Sequence, residues 1–286
     1  MMLQRLAKVT TVVAVAALAA ALMATVALAA TITGTDHRDR LRGSADADTI
    51  SALKGNDLVR AGGGADQVDA GPGRDRVIGG DGNDTVLTGA GWFDFVASGK
   101  GDDTVTGDAA HGWSRAWIFG GPGNDTLTGG AGPDRIHGGD GNDVTSGLGG
   151  RDKMSGGKGD DVQHGGAGND RIFANLGADT TYGDDGNDEL WAMARGDVTA
   201  DGSTTFDTVV GGNGNDRIRT RDGEADRVDC GPGRDIAYLD TQDVIVDATA
   251  ENPNGSCEKV IRKAPRANED SSENATQSPK DDSATS

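Results

Sequence analysis

Residues Gly120 to Asp143 read GGPGNDTLTGGAGPDRIHGGDGND, and this stretch decides the fold. Asp125, Asp134 and Asp143 each close a G-G-x-G-x-D hexapeptide, and each lies nine residues from the next. Two residues after the first two comes one aliphatic, Leu127 or Ile136. Working outward, Asp recurs with the same step at 39, 48, 57, 66, 75 and 84, and again at 125, 134, 143, 152, 161, 170, 179 and 188. Complete hexapeptides also end at Asp84, Asp161, Asp170 and Asp216; relaxed copies end at Asp66, Asp75, Asp103, Asp152, Asp188 and Asp235. A fixed period of this kind is the mark of a repeat architecture.

The unit is G-G-x-G-x-D-x-U-x, with U apolar. Its first six residues make a turn, because Gly and Asn accept positive φ and Asp bonds its own backbone. Its last three, often with a β-branched centre, make a short strand. The central residue alone points inward. Turn and strand alternating at a fixed step coil into a parallel solenoid with two nonapeptides per coil, so repeats 18 residues apart stack. The predicted fold class is therefore all-β, a parallel β-roll.

Composition agrees. The chain has 286 residues, 46 acidic against 27 basic, a net charge of −19 and 47 glycines, with aromatics at 4%. So few large apolar side chains argue against a conventional globular enzyme core. The acidic balance argues against a nucleic-acid binder. Counting letters gives 40 Asp and 6 Glu. A bias to the shorter carboxylate points to turns or metal sites rather than to a merely soluble surface. One buried aliphatic per nonapeptide does not offset the entropy of ordering nine residues. Stacked turns also bring Asp carboxylates together. A hard cation answers both problems: Ca2+ takes six to eight oxygens from carboxylates and carbonyls, and glycine-rich turns expose carbonyls.

These nonapeptides resemble those of the RTX, or hemolysin-type, calcium-binding repeat family over roughly residues 31–260. The resemblance implies a β-roll with several Ca2+ ions held between stacked turns by the repeat aspartates and turn carbonyls. Carried over residue by residue, it implicates Asp125, Asp143, Asp161 and Asp179 on one side and Asp134, Asp152, Asp170 and Asp188 on the other. Asp66, Asp75, Asp84 and Asp216 come next. Asp39 and Asp48 sit in glycine-poor turns and read as an N-terminal cap with weak or empty sites. The segment 226–260 resembles an end module that follows such repeats in secreted bacterial proteins, and is expected to cover the last open strand edge.

Residues 1–29 read as a secretory signal peptide. Arg5 and Lys8 precede an apolar run from Val9 to about Ala30, which ends in Ala27-Leu28-Ala29, a small-x-small cleavage pattern. The run is also long enough for a membrane anchor, but its Ala-rich composition and cleavage pattern favour the signal. No other segment is apolar enough to cross a membrane. A secreted, extracellular protein is expected, with residues 30–260 forming the roll. Two cysteines in an exported chain lead us to expect one Cys230–Cys257 disulfide. Residues 261–286 lack apolar periodicity and read as a disordered tail.

No catalytic constellation emerges. Ser51-Ala52-Leu53-Lys54 matches S-x-x-K without partner motifs, and His37, His111, His137 and His164 share no zinc or triad spacing. His137 and His164 end repeat strands, where exposure is expected. The step lengthens around Trp113, Trp117 and Phe119 and again after Trp191, which predicts aromatic insertions at about 107–119 and 192–210. Thr145, Gln163 and Thr181 occupy U positions, and Val144 and Val162 stand one place before the first two. That sheet is either locally thin or slips by one residue. The leading functional reading is a non-enzymatic calcium-binding module that is structural or interactive outside the cell. The alternatives are a calcium-dependent adhesin or ligand binder using the aromatic insertions, and, less favoured, a hydrolase. A flat outward Thr array would mark a surface binder, and Thr104-Val105-Thr106 and Thr126-Leu127-Thr128 are the T-x-T pairs in full repeats.

Overall fold

The computed structural model of the protein describes residues 29–192 and 206–264. Residues 1–28, 193–205 and 265–286 lie outside the described residues, and with them nearly all of the expected signal peptide, part of the second insertion and most of the expected tail. Every regular element described is a β-strand. Successive strands alternate between two sheets, and within each sheet the pairing is parallel. Sheet A begins Thr31–Thr33, Thr49–Ser51, Gln67–Asp69; sheet B begins Arg40–Arg42, Leu58–Gly63, Arg76–Asp81. Ile50 pairs with Val68 and Val68 with Val86, an 18-residue rise per coil. This is the β-roll expected from the nonapeptide.

The core is one column of U side chains per sheet. Val59, Val77, Val96, Ile118, Ile172 and Leu190 stack from sheet B; Val68, Val86, Val105 and Leu127 stack from sheet A, all buried. Neighbouring strands lie about 4.8 Å apart, so U residues of successive coils stack, with Ala52, Ala61, Ala70 and Ala174 filling the same core at turn positions.

The insertions leave this register intact. Val96 pairs with Ile118 across 22 residues, and Leu190 with Ile218 across 28. The extra residues are absorbed in turns. The expectation of an aromatic loop over 107–119 is therefore corrected in part. Ala116–Pro122 is an ordinary strand of sheet B, with Ile118 inward and Trp117 and Phe119 outward. Trp113 remains in a turn, half exposed, 6.3 Å from exposed Trp92. In the second insertion, Thr208–Val210 is again a regular strand, and 193–205 lies outside the described residues.

The polar U positions do not slip. Thr145 pairs with Gln163 and Gln163 with Thr181, all three buried, while Val144 is exposed. Sheet A is locally polar inside. With its amide oxygen and nitrogen exchanged, Gln163 donates to the Phe173 carbonyl (3.2 Å) and accepts from the Gly156 N–H (2.9 Å), which satisfies both ends. Thr145 Oγ1 finds no partner.

At the C-terminal end, Val244–Ile245 is the last strand of sheet A and Lys259–Arg262 the last of sheet B. The end module thus pairs along the edges of Arg227–Asp229 and Ile236–Leu239 and adds a rung to both sheets, the last among the described residues. Cys230 and Cys257 are joined in a disulfide, with Cα atoms 5.2 Å apart.

The two outer faces differ in chemistry. Sheet A presents a column rich in threonine: Thr31, Thr49, then past Gln67, Thr85, Thr104 and Thr126, and past Val144 and Val162, Thr180 and Thr208. The outward Thr array is denser than the T-x-T pairs suggest, because single threonines align across coils. Sheet B presents arginines and aromatic rings.

Candidate metal centre

The repeat aspartates end the turns, so the coil lines them up in two columns. Turns entering sheet A carry Asp48, Asp66, Asp84, Asp103, Asp125, Asp143, Asp161 and Asp179. Turns entering sheet B carry Asp39, Asp57, Asp75, Asp94, then Asp134, Asp152, Asp170 and Asp188. The structure places all twelve sequence-predicted residues in these columns, with Asp216 continuing the second.

One bond recurs along both columns. The backbone N–H of each Asp donates to Oδ1 of the Asp one coil on: Asp125 to Asp143, Asp143 to Asp161 and Asp152 to Asp170, each at 2.8 Å. Asp235 donates likewise to Glu258 Oε2 at 2.6 Å, so the end module supplies the final carboxylate. The second column has one break. Ala116 takes the place of an aspartate, donating to Asp134 Oδ1 but offering no carboxylate to Asp94, whose N–H donates to the Arg115 carbonyl at 2.8 Å instead.

The second carboxylate oxygen is the informative atom. In Asp66, Asp75, Asp84, Asp125, Asp134, Asp143, Asp152, Asp161, Asp170, Asp188 and Asp216, Oδ2 is buried without a hydrogen-bond partner. A buried unsatisfied carboxylate oxygen is costly. Its surroundings explain why it stays so. Asp125 Oδ2 and the Gly138 carbonyl oxygen crowd the point where a Cβ on Gly120 would sit. Asp143 Oδ2 with the Gly156 carbonyl, and Asp152 Oδ2 with the Gly165 carbonyl, repeat this at Gly138 and Gly147. Acceptor faces acceptor with no donor between them. Gly139 and Gly141, at φ 136° and 129°, turn the backbone in a way that L side chains resist, so the turn stays tight.

Electrostatics carry the same message. Burial pushes these carboxyls up, against the N–H bonds that pull them down: Asp143 and Asp170 to about 6, Asp125 and Asp161 to about 7, Asp152 and Asp188 to about 8. Neighbouring aspartates in the column add to the rise at Asp125, Asp152, Asp161 and Asp188. A proton or a cation relieves such a stack.

Among the described residues, no three His, Cys, Asp or Glu side chains converge on one point. Carboxylates alone therefore do not chelate an ion here. A cation in the columns takes its remaining oxygens from turn carbonyls, and an all-oxygen set suits Ca2+ rather than a softer metal. The residues present fit the ion.

Asp39 and Asp48 differ. Asp39 Oδ2 accepts from the Thr35 N–H (2.5 Å) and hydroxyl (2.9 Å), and Asp48 Oδ2 from the Ser44 N–H (2.6 Å) and hydroxyl (3.1 Å). In these turns Thr35 and Ser44 stand where a second glycine would, and their hydroxyls occupy the carboxylate. Sequence reasoning left out Asp57, Asp94, Asp103, Asp226 and Asp235, whose Oδ2 atoms are buried and unpartnered like that of Asp143. Their signal was the Asp–x–U spacing itself, obscured by incomplete glycines and by lengthened steps. His137 also departs from expectation: its Nδ1 is buried and unpartnered, and burial pulls its pKa down.

The profile of the RTX calcium-binding nonapeptide repeat matches residues 33–68, 60–91, 93–111, 119–154, 155–190 and 201–237. The chain belongs to the RTX calcium-binding nonapeptide repeat family. No curated protein matches it. The family assignment and the aspartate columns agree on calcium, and the RTX roll here runs through nearly all the described residues.

Proposed function

We propose that this is an exported RTX protein whose roll folds as Ca2+ enters the aspartate columns, and that it acts outside the cell as a structural or interaction module without catalysis. Residues 1–29 serve as the signal, 30–260 as the roll with its end module at about 226–260, and 261–286 as a disordered tail. The observation that carries the reading is the recurring buried Oδ2 set against a turn carbonyl. The ligands are Asp66, Asp75, Asp84, Asp125, Asp134, Asp143, Asp152, Asp161, Asp170, Asp179, Asp188 and Asp216, completed by turn carbonyls. A bound cation supplies the positive charge that the stacked carboxylates and the −19 chain lack.

The test is circular dichroism of the mature chain at pH 8 during a calcium titration. We expect little β signal in excess EDTA and a cooperative rise at roughly 10⁻⁴–10⁻³ M calcium, the range of extracellular modules. Unchanged β signal in EDTA would sink the proposal. An adhesin reading is favoured by one observation, the exposed Trp92–Trp113 pair with His111 5.1 Å from Trp113. Loss of surface adhesion in a Trp92→Ala/Trp113→Ala variant that still folds with calcium would establish it.

A further inference from the structure

The outer face of sheet B concentrates positive charge on an acidic protein. One column along it carries Arg76, Phe95, Trp117, Arg135, Lys153 and Arg171 in unbroken register. The neighbouring column adds Arg60 and, further along, Arg219. Within these two columns Glu189 is the one acid among the described strand positions, and Arg171 (3.0 Å) and Arg217 (3.4 Å) bracket it; Asp81 and Asp140, exposed at the strand ends, pair with Lys100 and Lys158. The outer face of sheet A, by contrast, is rich in threonine, with Arg227 as its one arginine among the described strand positions.

The rings hold the cations in place. The Arg135 guanidinium lies 4.5 Å from the centre of the Trp117 ring, Arg76 4.9 Å from Phe95, and Arg219 4.9 Å from Trp191. Phe173 and Trp191 stack on each other at 4.5 Å. A guanidinium laid flat on a ring keeps its N–H edge directed outward and loses little freedom on binding an anion. The pattern advances one coil, about 4.8 Å, at a time along the roll axis.

We propose that this face binds an extended, carboxylate-bearing polysaccharide. Charge complementarity selects a polyanion, and the linear columns select a linear one. Carboxylates match the arginine fork in two-point geometry. Single-stranded nucleic acid is less suited: it binds by stacking bases on open ring faces, and here arginines or other rings cover those faces. The inference rests on the exported, calcium-loaded roll proposed above, since such a polymer is met outside cells.

The experiment measures binding of the full mature chain, in calcium, to carboxymethylcellulose and to uncharged hydroxyethylcellulose, with oligo-dT as a competitor. Binding to the first alone is expected, weakening with salt. The pair Arg76→Gln/Arg135→Gln, both exposed positions, should lower affinity about tenfold, equivalent to about 1.4 kcal/mol. Arg227→Gln, the same kind of charge loss on sheet A, should leave it unchanged. No binding by folded protein, equal loss in Arg227→Gln, or displacement by oligo-dT at lower concentration than by the polysaccharide itself would overturn the proposal. Circular dichroism of the same samples with and without calcium scores the folding claim separately, because a roll that needs no calcium can still bind the polymer.

Discussion

Asp143 illustrates what one carboxylate does in this roll. Its Oδ1 accepts the Asp125 N–H, and its Oδ2 faces the Gly156 carbonyl with no donor. Asn has nearly the same shape and turn chemistry but removes the buried negative charge. Asp143→Asn or Asp161→Asn should therefore raise the calcium midpoint several-fold without weakening the metal-free roll. Asp39→Asn should move the midpoint much less, because Thr35 already satisfies Asp39. Calcium titrations of the three variants followed by circular dichroism check this; identical behaviour would make the aspartates turn formers only. The same atoms set the pH response. An unfolded Asp titrates near 3.9, whereas burial raises Asp143 to about 6 and Asp152 to about 8 in the roll. Between about pH 4 and pH 8 the metal-free folded state thus binds more protons than the unfolded chain, and its stability falls as pH rises. We expect β signal in chelator to grow as pH drops from 8 to 5. The calcium midpoint should rise over the same range, since protons compete for the carboxylates. Metal-free β signal that declines on acidification would contradict this.

At the scale of the strand, the core is one residue deep, so a single polar U side chain is felt. Val162–His164 buries Gln163 with its amide satisfied, whereas Val144–Gly150 buries Thr145 with its hydroxyl unpartnered. Thr145→Val keeps the β-branched shape and removes the orphan. It should stabilise the calcium-loaded roll by about 1 kcal/mol, read from chemical denaturation. Ser146 and Val144 flank it on the outer face, and Val144→Thr should change little because Val144 is already exposed. If Val144→Thr were the more damaging change, the register of these strands would be wrong.

At the scale of the molecule, a solenoid is as secure as its ends. Cys230 follows strand Arg227–Asp229 of sheet A, and Cys257 precedes strand Lys259–Arg262 of sheet B. The disulfide thus ties the last rung to the body across 27 residues of chain. Its loss should cost about 3 kcal/mol in the chain-entropy model. Thermal unfolding at saturating calcium, with and without reductant, should show a lower transition after reduction. Hydrogen exchange should place the earliest opening at 236–262. Unaltered exchange there on reduction would mean that the final rung holds by strand pairing and the Glu258 carboxylate alone.

The nine-residue step, the Gly and Asp turns and the aliphatic U positions were enough to specify a parallel roll, its 18-residue coil and the division of Asp125 to Asp188 between two columns, because each is a local rule repeated in register. The Asp residues whose glycines are incomplete, such as Asp57 and Asp94, were not read as equivalent sites. Their equivalence comes from stacking under a neighbour one coil away rather than from their own hexapeptides. Trp117 and Phe119 read as insertion residues, and only the pairing of Ile118 with Val96 and Ile136 shows them flanking a regular strand. Whether Thr145 or Val144 faces inward was likewise open, since period-2 alternation allows either until the neighbouring strands fix the register. The threonine column of sheet A and the arginine and aromatic columns of sheet B are dispersed along the sequence at steps of 18 to 28 residues. They become surfaces only because the coil superimposes residues that the chain keeps far apart.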